Sequence, residues 1–264
     1  DVLARHAWSA GERLDLFTDI ARSADAIARL CGPDEGRRYR EFCDRAKRAW
    51  LALETPFIRA ERPSLFGLAR HGGFGALATL AAINPFATMW TALGKHFRDP
   101  RLRQLFGRYA TYCGSSPFEA PATLMLVAHV EREGVWLVEG GMHRLADAMA
   151  GLAIRRGCTI RYGQEAARIV VERGRVAGVV LASGERLEVS GVVANGDVAA
   201  LAAGAFGEEA SRAVRPVDPR SRSLSAITWN LVAPAGGFPL VRHNVFFSRD
   251  YAAEFRDLFG HGRV

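Results

Sequence analysis

Lysine is nearly missing from this chain of 264 residues: among its 35 basic side chains only Lys47 and Lys95 are lysine, and the rest are arginine. The net charge of +7 and a pI near 9.7 would admit a nucleic acid or an anionic membrane as partner. The arginines are scattered, however (Arg5, Arg29, Arg37, Arg38, Arg103, Arg155, Arg156 and Arg215 among them), and no nucleic-acid-binding motif accompanies them. No nucleic-acid partner is expected, and an Ala/Arg/Gly-rich composition also has a plain source in a GC-rich coding sequence. Cysteine is equally sparse. Cys31, Cys43, Cys113 and Cys158 form no C-x-x-C and have no histidine at zinc-finger spacing, which argues against a structural zinc and reads as free thiols in a reducing compartment. The seven histidines contain no H-E-x-x-H, and no G-x-S-x-G surrounds Ser115 or Ser116, so hydrolytic chemistry finds no support. His129 and His143 read as structural, Glu208 and Glu209 as solvated, and no metal site is expected. No signal peptide is expected. A start at Asp1 and an uncapped stop at Val264 lead to the expectation of a piece cut from a longer chain.

A working dinucleotide fingerprint is also lacking. Gly73 to Ala78 match G-x-G-x-x-A, but such a loop must follow a buried strand, open a helix and meet an acidic residue about 20 positions later. Here a helical-looking "LFGLARH" precedes it, and the later region is "LGKHF", without a carboxylate.

What the sequence does contain is a helical first half. In "LDLFTDIARSADAIARL" the residues Leu16, Ile20, Ala24 and Ile27 recur at helical spacing, as do Tyr39, Phe42, Ala46, Ala49 and Leu53 in the next segment. Gly32-Pro33 separates the two. From Gly72 to Gly94 there is no charge over 23 residues, about the length that spans a bilayer, but Asn84-Pro85 divides the run into halves too short to cross. Buried helices, or helices dipping into one leaflet, fit it better. "RDPRLRQLFGRYATYCG" and "APATLMLVAHVER" read as two further helices.

Beyond Gly134 the period changes. "VWLV" reads as a strand running into Gly140-Gly141, followed by a helix from Met142 to Arg156 with Met142, Leu145, Met149 and Leu152 on one face. "TIRYG", "AARIVVE", "RVAGVVLA", "RLEVS" and "GVVAN" then form a meander of short strands. "SAITWNLVA" and "HNVFFS" read as strands before a last helix at "DYAAEFRDLF". The fold class is therefore α+β: a helical region joined to a mixed β-sheet and a β-meander. A glycine pair between strand and helix relieves the steric limits on φ and lets backbones approach closely, so by spacing alone Gly140-Gly141 is equally a tight turn or a cofactor cradle.

The segments D-x-x-L-R-Q-x-F (from Asp99), G-x-S-P (from Gly114), E-x-x-G-V-W-x-x-x-G-G-M (from Glu131) and the closing "VVANGD" occur in one order. As a set they resemble the middle of the carotenoid desaturase family, of the bacterial phytoene-desaturase type, within the flavin amine-oxidase superfamily. "SLSAITWNL", "FPLVRHNVFFSRDYAAEFRDLF" and the opening "WSAGERLDLFTDIARSADAI" look most like the branch acting on hydroxylated acyclic carotenoids. The resemblance covers essentially the whole chain.

That resemblance implies part of an FAD-dependent two-domain oxidoreductase fold. Residues 1–135 would be a helical substrate- and membrane-facing region, 136–197 a partial FAD-domain segment, and 198–264 a second part of the substrate domain. Gly140, Gly141 and Met142 would line the flavin, Glu165-Ala166 would meet the adenine through backbone atoms, and Asn195 and Asp197 would sit near the cofactor. Asp99 and Arg103 are the polar pair implied for catalysis, beside a plainer reading as a helix N-cap and a surface arginine. The main FAD fingerprint would precede this chain and a second flavin-contacting segment would follow it, so the chain alone is expected to be inactive. The implied activity is desaturation of an acyclic, 1-hydroxylated carotenoid, at a cytoplasmic site peripheral to the membrane, with the oligomeric state open. Phytoene desaturation, carotene isomerisation, amine oxidation and flavin-free lipid binding are the alternatives.

Overall fold

A computed structural model describes residues 1–62, 86–219 and 222–261. The G-x-G-x-x-A stretch and most of the uncharged run lie outside the described residues. The chain divides into two compact units: Asp1–Trp136 with Ser223–Val264, and Leu137–Arg222.

The first unit opens with two strands, β1 (Val2–Ala7) and β2 (Arg13–Phe17), paired antiparallel with His6 opposite Leu14. Leu14 and Leu16 alternate inward with Asp15 between them, the period of a half-buried strand. The helical spacing through Leu16 was therefore misleading: the helix starts only at Ile20, after Asp19 caps it by accepting from the Arg22 N–H. This helix, α1 (Ile20–Cys31), ends at Gly32 with φ of 99°, and Pro33 at once begins α2 (Pro33–Leu53). Every position of the expected α2 stripe, from Tyr39 to Leu53, is buried.

The end of the uncharged run is ordinary core. Thr88 caps α3 (Met89–His96), whose Met89 and Leu93 are fully buried. Next come α4 (Pro100–Gly107), a 3₁₀ turn at Arg108–Cys113, a second at Ala122–Leu126, and α5 (Val127–Glu133). Phe42 packs against Phe97 and Phe106 at ring distances of 5.2 and 4.8 Å, in a core shared by β2, α1, α2, α3 and α4. Late in the chain, Asn244–Phe246 pairs in parallel with β1, giving a mixed three-stranded sheet. Asp250 caps a closing helix, Tyr251–Arg256.

The second unit holds a helix (His143–Arg155) and an antiparallel meander of β3 (Ala166–Glu172), β4 (Arg175–Leu181) and β5 (Arg186–Glu188). Two short helices follow, Val198–Ala202 and Glu208–Ser211. In the order of the chain, the helix His143–Arg155 is α6, these two are α7 and α8, and Tyr251–Arg256 is α9. The unit continues through Arg222, so residues 198–222 cluster with the meander. Four segments expected as strands, at 135–138, 159–163, 191–195 and 225–233, carry no ladder. A strand is a pairing, and these segments have no neighbour to pair with among the described residues. The chain as a whole is α+β, with one mixed sheet and one meander.

Candidate functional site

Gly140 and Gly141 adopt φ of 78° and 90°, in the left-handed region that favours glycine. The turn is closed by the Gly141 N–H donating to the Val138 carbonyl at 2.9 Å, and the Arg144 N–H returns to Gly141 at 3.1 Å. A Cβ at Gly140 would lie 3.1 Å from the Arg144 side chain, whereas one at Gly141 would meet nothing within 4 Å. The glycine at 141 thus answers to backbone conformation, and the space above it is open. Helix α6 starts here with no side-chain cap, and Met142 at its entrance is 67 % exposed. Uncapped N–H groups at the positive end of a helix favour an acceptor or anionic group. The Arg144 and Leu145 N–H groups are taken by the Gly141 and Met142 carbonyls, so what suits a flat, acceptor-rich ring such as a flavin is the open glycine turn at the positive end of the helix.

The other expected cofactor residues lie in the same unit. The Glu165 carbonyl accepts from the Ala182 N–H, and Ala166 pairs opposite Leu181 at the edge of the meander. Asn195 is exposed, while Asp197 caps α7 by accepting from the Ala199 N–H and pairs with Arg222 at 2.7 Å. All seven residues therefore fall within Leu137–Arg222.

Asp99 and Arg103 belong to the other unit and are joined through the backbone, the Arg103 N–H donating to the Asp99 carbonyl at 3.3 Å, while their side chains engage other groups. Asp99 caps α4 through the Arg101 N–H at 2.8 Å and holds the Arg101 guanidinium with both oxygens, at 3.1 and 2.7 Å. Arg101 reaches on to Glu12 and to the Leu30 carbonyl. Burial alone would raise the Asp99 pKa, but the side-chain and backbone hydrogen bonds from Arg101 prevail and hold it below the usual value. The neighbouring Cys31 thiol is pushed up to about 12 by burial and by Asp99, which leaves it no nucleophilic thiolate. Arg103 donates to the carbonyls of Phe97 and Arg98, at 2.8 and 3.5 Å. Both residues fix the corner from Phe97 to Arg103.

A polar cluster that the sequence reading missed lies deeper in the same unit. Arg108 donates to Tyr112, faces Glu131 at 3.4 Å and lies 3.5 Å from His6 Nε2, while the Tyr109 hydroxyl donates to Glu131. His6 is fully buried, and burial together with the Arg108 charge brings its pKa down to about 3, so the ring is neutral. Only the run Arg108-Tyr109-x-x-Tyr112 hinted at this cluster; Glu131 and His6 join it by folding. In the same unit, Phe118, Ala252, Phe255 and Phe259 line a groove of about 440 Å³ with Glu119 and Arg256 also on its wall.

Comparison with known proteins gives this geometry a context. A family model described as flavin containing amine oxidoreductase matches residues 6–228. The chain is 55% identical to a hydroxyneurosporene desaturase of Rubrivivax gelatinosus over 259 residues, 98% of this chain and 49% of that protein. It is 47% identical to a hydroxyneurosporene desaturase of Cereibacter sphaeroides, over 96% of this chain and 51% of the relative. A phytoene desaturase of Neurospora crassa is 28% identical over 96% of this chain. The chain spans about half the length of the curated relatives it matches. With the family model covering most of its length, the chain belongs to the flavin-containing amine oxidoreductases.

Proposed function

We propose that the full-length protein containing this chain is an FAD-dependent desaturase of an acyclic, hydroxylated carotenoid. The observation that carries this reading is the similarity to hydroxyneurosporene desaturases along nearly the whole chain, 55% and 47% identical. FAD, when bound, supplies the hydride acceptor that removal of two hydrogens from adjacent carbons requires. Gly140, Gly141 and Met142 hold the backbone open for the ring, Glu165-Ala166 offer backbone atoms, and Asn195 and Asp197 shape the neighbouring loop. Residues 136–197 then serve the cofactor, and residues 1–135 with 198–264 serve the substrate. Asp99 and Arg103 act in turnover by holding the Phe97–Arg103 corner rather than through a bond between their side chains. An apolar polyene offers few polar handles, and aromatic and aliphatic surfaces such as the Phe118–Phe255–Phe259 groove suit its hydrocarbon. The substrate resides in membrane, so a peripheral membrane position on the cytoplasmic side belongs to the same reading.

The test is an absorbance spectrum of the full-length parent and of this chain side by side, with added FAD and a hydroxylated acyclic carotenoid. A flavin band in the parent and a new double bond in the product are expected. No flavin in either protein would remove the desaturase reading and leave carotenoid or lipid binding. Turnover of an amine with no carotenoid product would instead assign an amine oxidase.

A further inference from the structure

Helix α6 is amphipathic, yet among the described residues nothing buries its apolar side. At about 100° per residue, Met142, Leu145, Met149 and Leu152 fall on one face, with Asp147 opposite and Arg144 and Arg155 on the flanks. No residue of the helix is buried, and the four apolar side chains are between 46 and 67 % exposed. The helix has 13 residues. Isolated helices shorter than about 12–15 residues are marginal in water, so its stability depends on packing that face.

A segment of the same unit has the complementary need. Among the described residues, no backbone N–H or carbonyl of 191–195 bonds to another backbone group. Val192 and Ala194 line an apolar pocket of about 460 Å³ with Ile169, Val171, Leu201 and Ala210, while Val193 between them is 96 % exposed. Side chains that alternate in this way belong to a strand. Apolar residues on both of its sides mark a strand that is covered on both faces, as in a sheet flanked by helices.

We propose that the apolar face of α6 and the segment 191–195 are docking surfaces for the rest of the parent polypeptide, which pairs a β-strand with 191–195 and lays an apolar surface against α6. This rests on the length of the relatives and not on the desaturase reading. The matched 259 and 254 residues are 49% and 51% of those two proteins, which leaves about as much chain again. A membrane would cover Met149 and Leu152 but would give the backbone of 191–195 no hydrogen-bond partner, and hydrocarbon penalises unpaired backbone heavily. A second copy would compete with chain tethered to the same molecule and held there at high effective concentration. Because the Gly140-Gly141 turn opens α6, docking the helix also fixes that turn.

The experiment places a photoreactive benzophenone side chain at Met149, and separately at Val193, in the full-length parent and identifies the captured peptides by mass spectrometry. Both positions are expected to capture peptides of the same molecule that lie outside these 264 residues, at any protein concentration and without vesicles. Capture within these residues, or between two copies, would overturn the proposal. So would capture of lipid alone, on vesicles of phosphatidylcholine and phosphatidylglycerol, or no capture at all. A second reading needs no bulky label. Leu152 and Ile154 are 49 and 57 % exposed in this chain but project from opposite sides of α6. Leu152→Glu is expected to lower the thermal midpoint of the parent by about 5 °C or more, and Ile154→Glu by about 1 °C or less. Equal shifts, large or small, would deny the apolar stripe any special part and overturn the proposal. Carotenoid turnover enters neither reading, so its failure removes the desaturase reading alone.

Discussion

Asp99 combines two jobs in one carboxylate, and a substitution can separate them. It caps α4 and it grips Arg101, which in turn ties that corner to Glu12 and Leu30. Asp99→Ala removes both and is expected to cost about 1–2 kcal/mol, the usual loss for an N-cap. Asp99→Asn keeps a good capping side chain but gives up the charge and one of the two oxygens that hold the Arg101 guanidinium, so only the capping part of the stability should return. The pH dependence has a definite sign. The folded pKa lies below its unfolded value of about 3.9, so the contribution is complete above that value and is lost as pH falls through the folded pKa. Thermal midpoints of the full-length parent should therefore fall more steeply below about pH 4 than those of Asp99→Asn. Parallel curves would show that the Arg101 pairing contributes nothing. Asp99 and Arg103 were legible as polar residues in one motif. Their division of labour was not, because each hydrogen bond depends on how the chain turns at Phe97 and Pro100.

At the scale of elements, the contact between α1 and α2 turns on Gly36. Glycine inside an exposed helix costs about 1 kcal/mol relative to alanine, so Gly36→Ala would ordinarily stabilise. Here a Cβ would lie 2.6 Å from the Ala24 carbonyl oxygen and 3.0 Å from the Ala28 Cβ. Backbone cannot step aside as a flexible side chain does, and the overpacking outweighs the propensity gain. Gly36→Ala is expected to destabilise the parent by about 1–3 kcal/mol, measured by denaturant unfolding; a stabilised variant would mean that the two helices separate freely. The stripe from Tyr39 to Leu53 was readable because a helix buries its face in a period that one sequence carries by itself. The strand at Arg13–Phe17 was not readable. Its inward Leu16 happens to continue the helical spacing of Ile20 and Ala24, whereas Leu14, two residues before it, keeps the period of a strand that pairs with β1. The same reasoning accounts for "VWLV" and "SAITWNLVA", whose apolar residues promise strands although no partner strand is among the described residues. Trp136 and Trp229 are 88 % and 78 % exposed as a result.

For the whole molecule the arginine excess is the property most open to test. Among the described residues no helix is long and apolar enough to cross a membrane, and Met89 to Gly94 of the uncharged run belong to a helix packed into the core. Attraction to a bilayer surface would then depend heavily on charge. An open pocket of about 550 Å³ supplies one place for it: Arg5, Arg13 and Arg29 line it beside Leu30 and Phe17, and only Arg5 is engaged by the single carboxylate there, Asp15. Guanidinium groups next to apolar walls suit the phosphate and upper acyl region of a lipid. Such an attraction is screened over about 10 Å in 0.1 M salt and over about 3 Å in 1 M salt. The full-length parent should therefore sediment with vesicles containing an anionic phospholipid at low salt and be released as salt is raised, with weaker binding to purely zwitterionic vesicles. Replacing Arg13 and Arg29 by serine should weaken the anionic binding more than the same change at the exposed Arg48 and Arg175, although each pair removes two charges. Equal losses would spread the attraction over the whole arginine-rich surface and leave the pocket no special part. Partitioning that ignores both salt and lipid charge would instead assign membrane attachment to apolar contact.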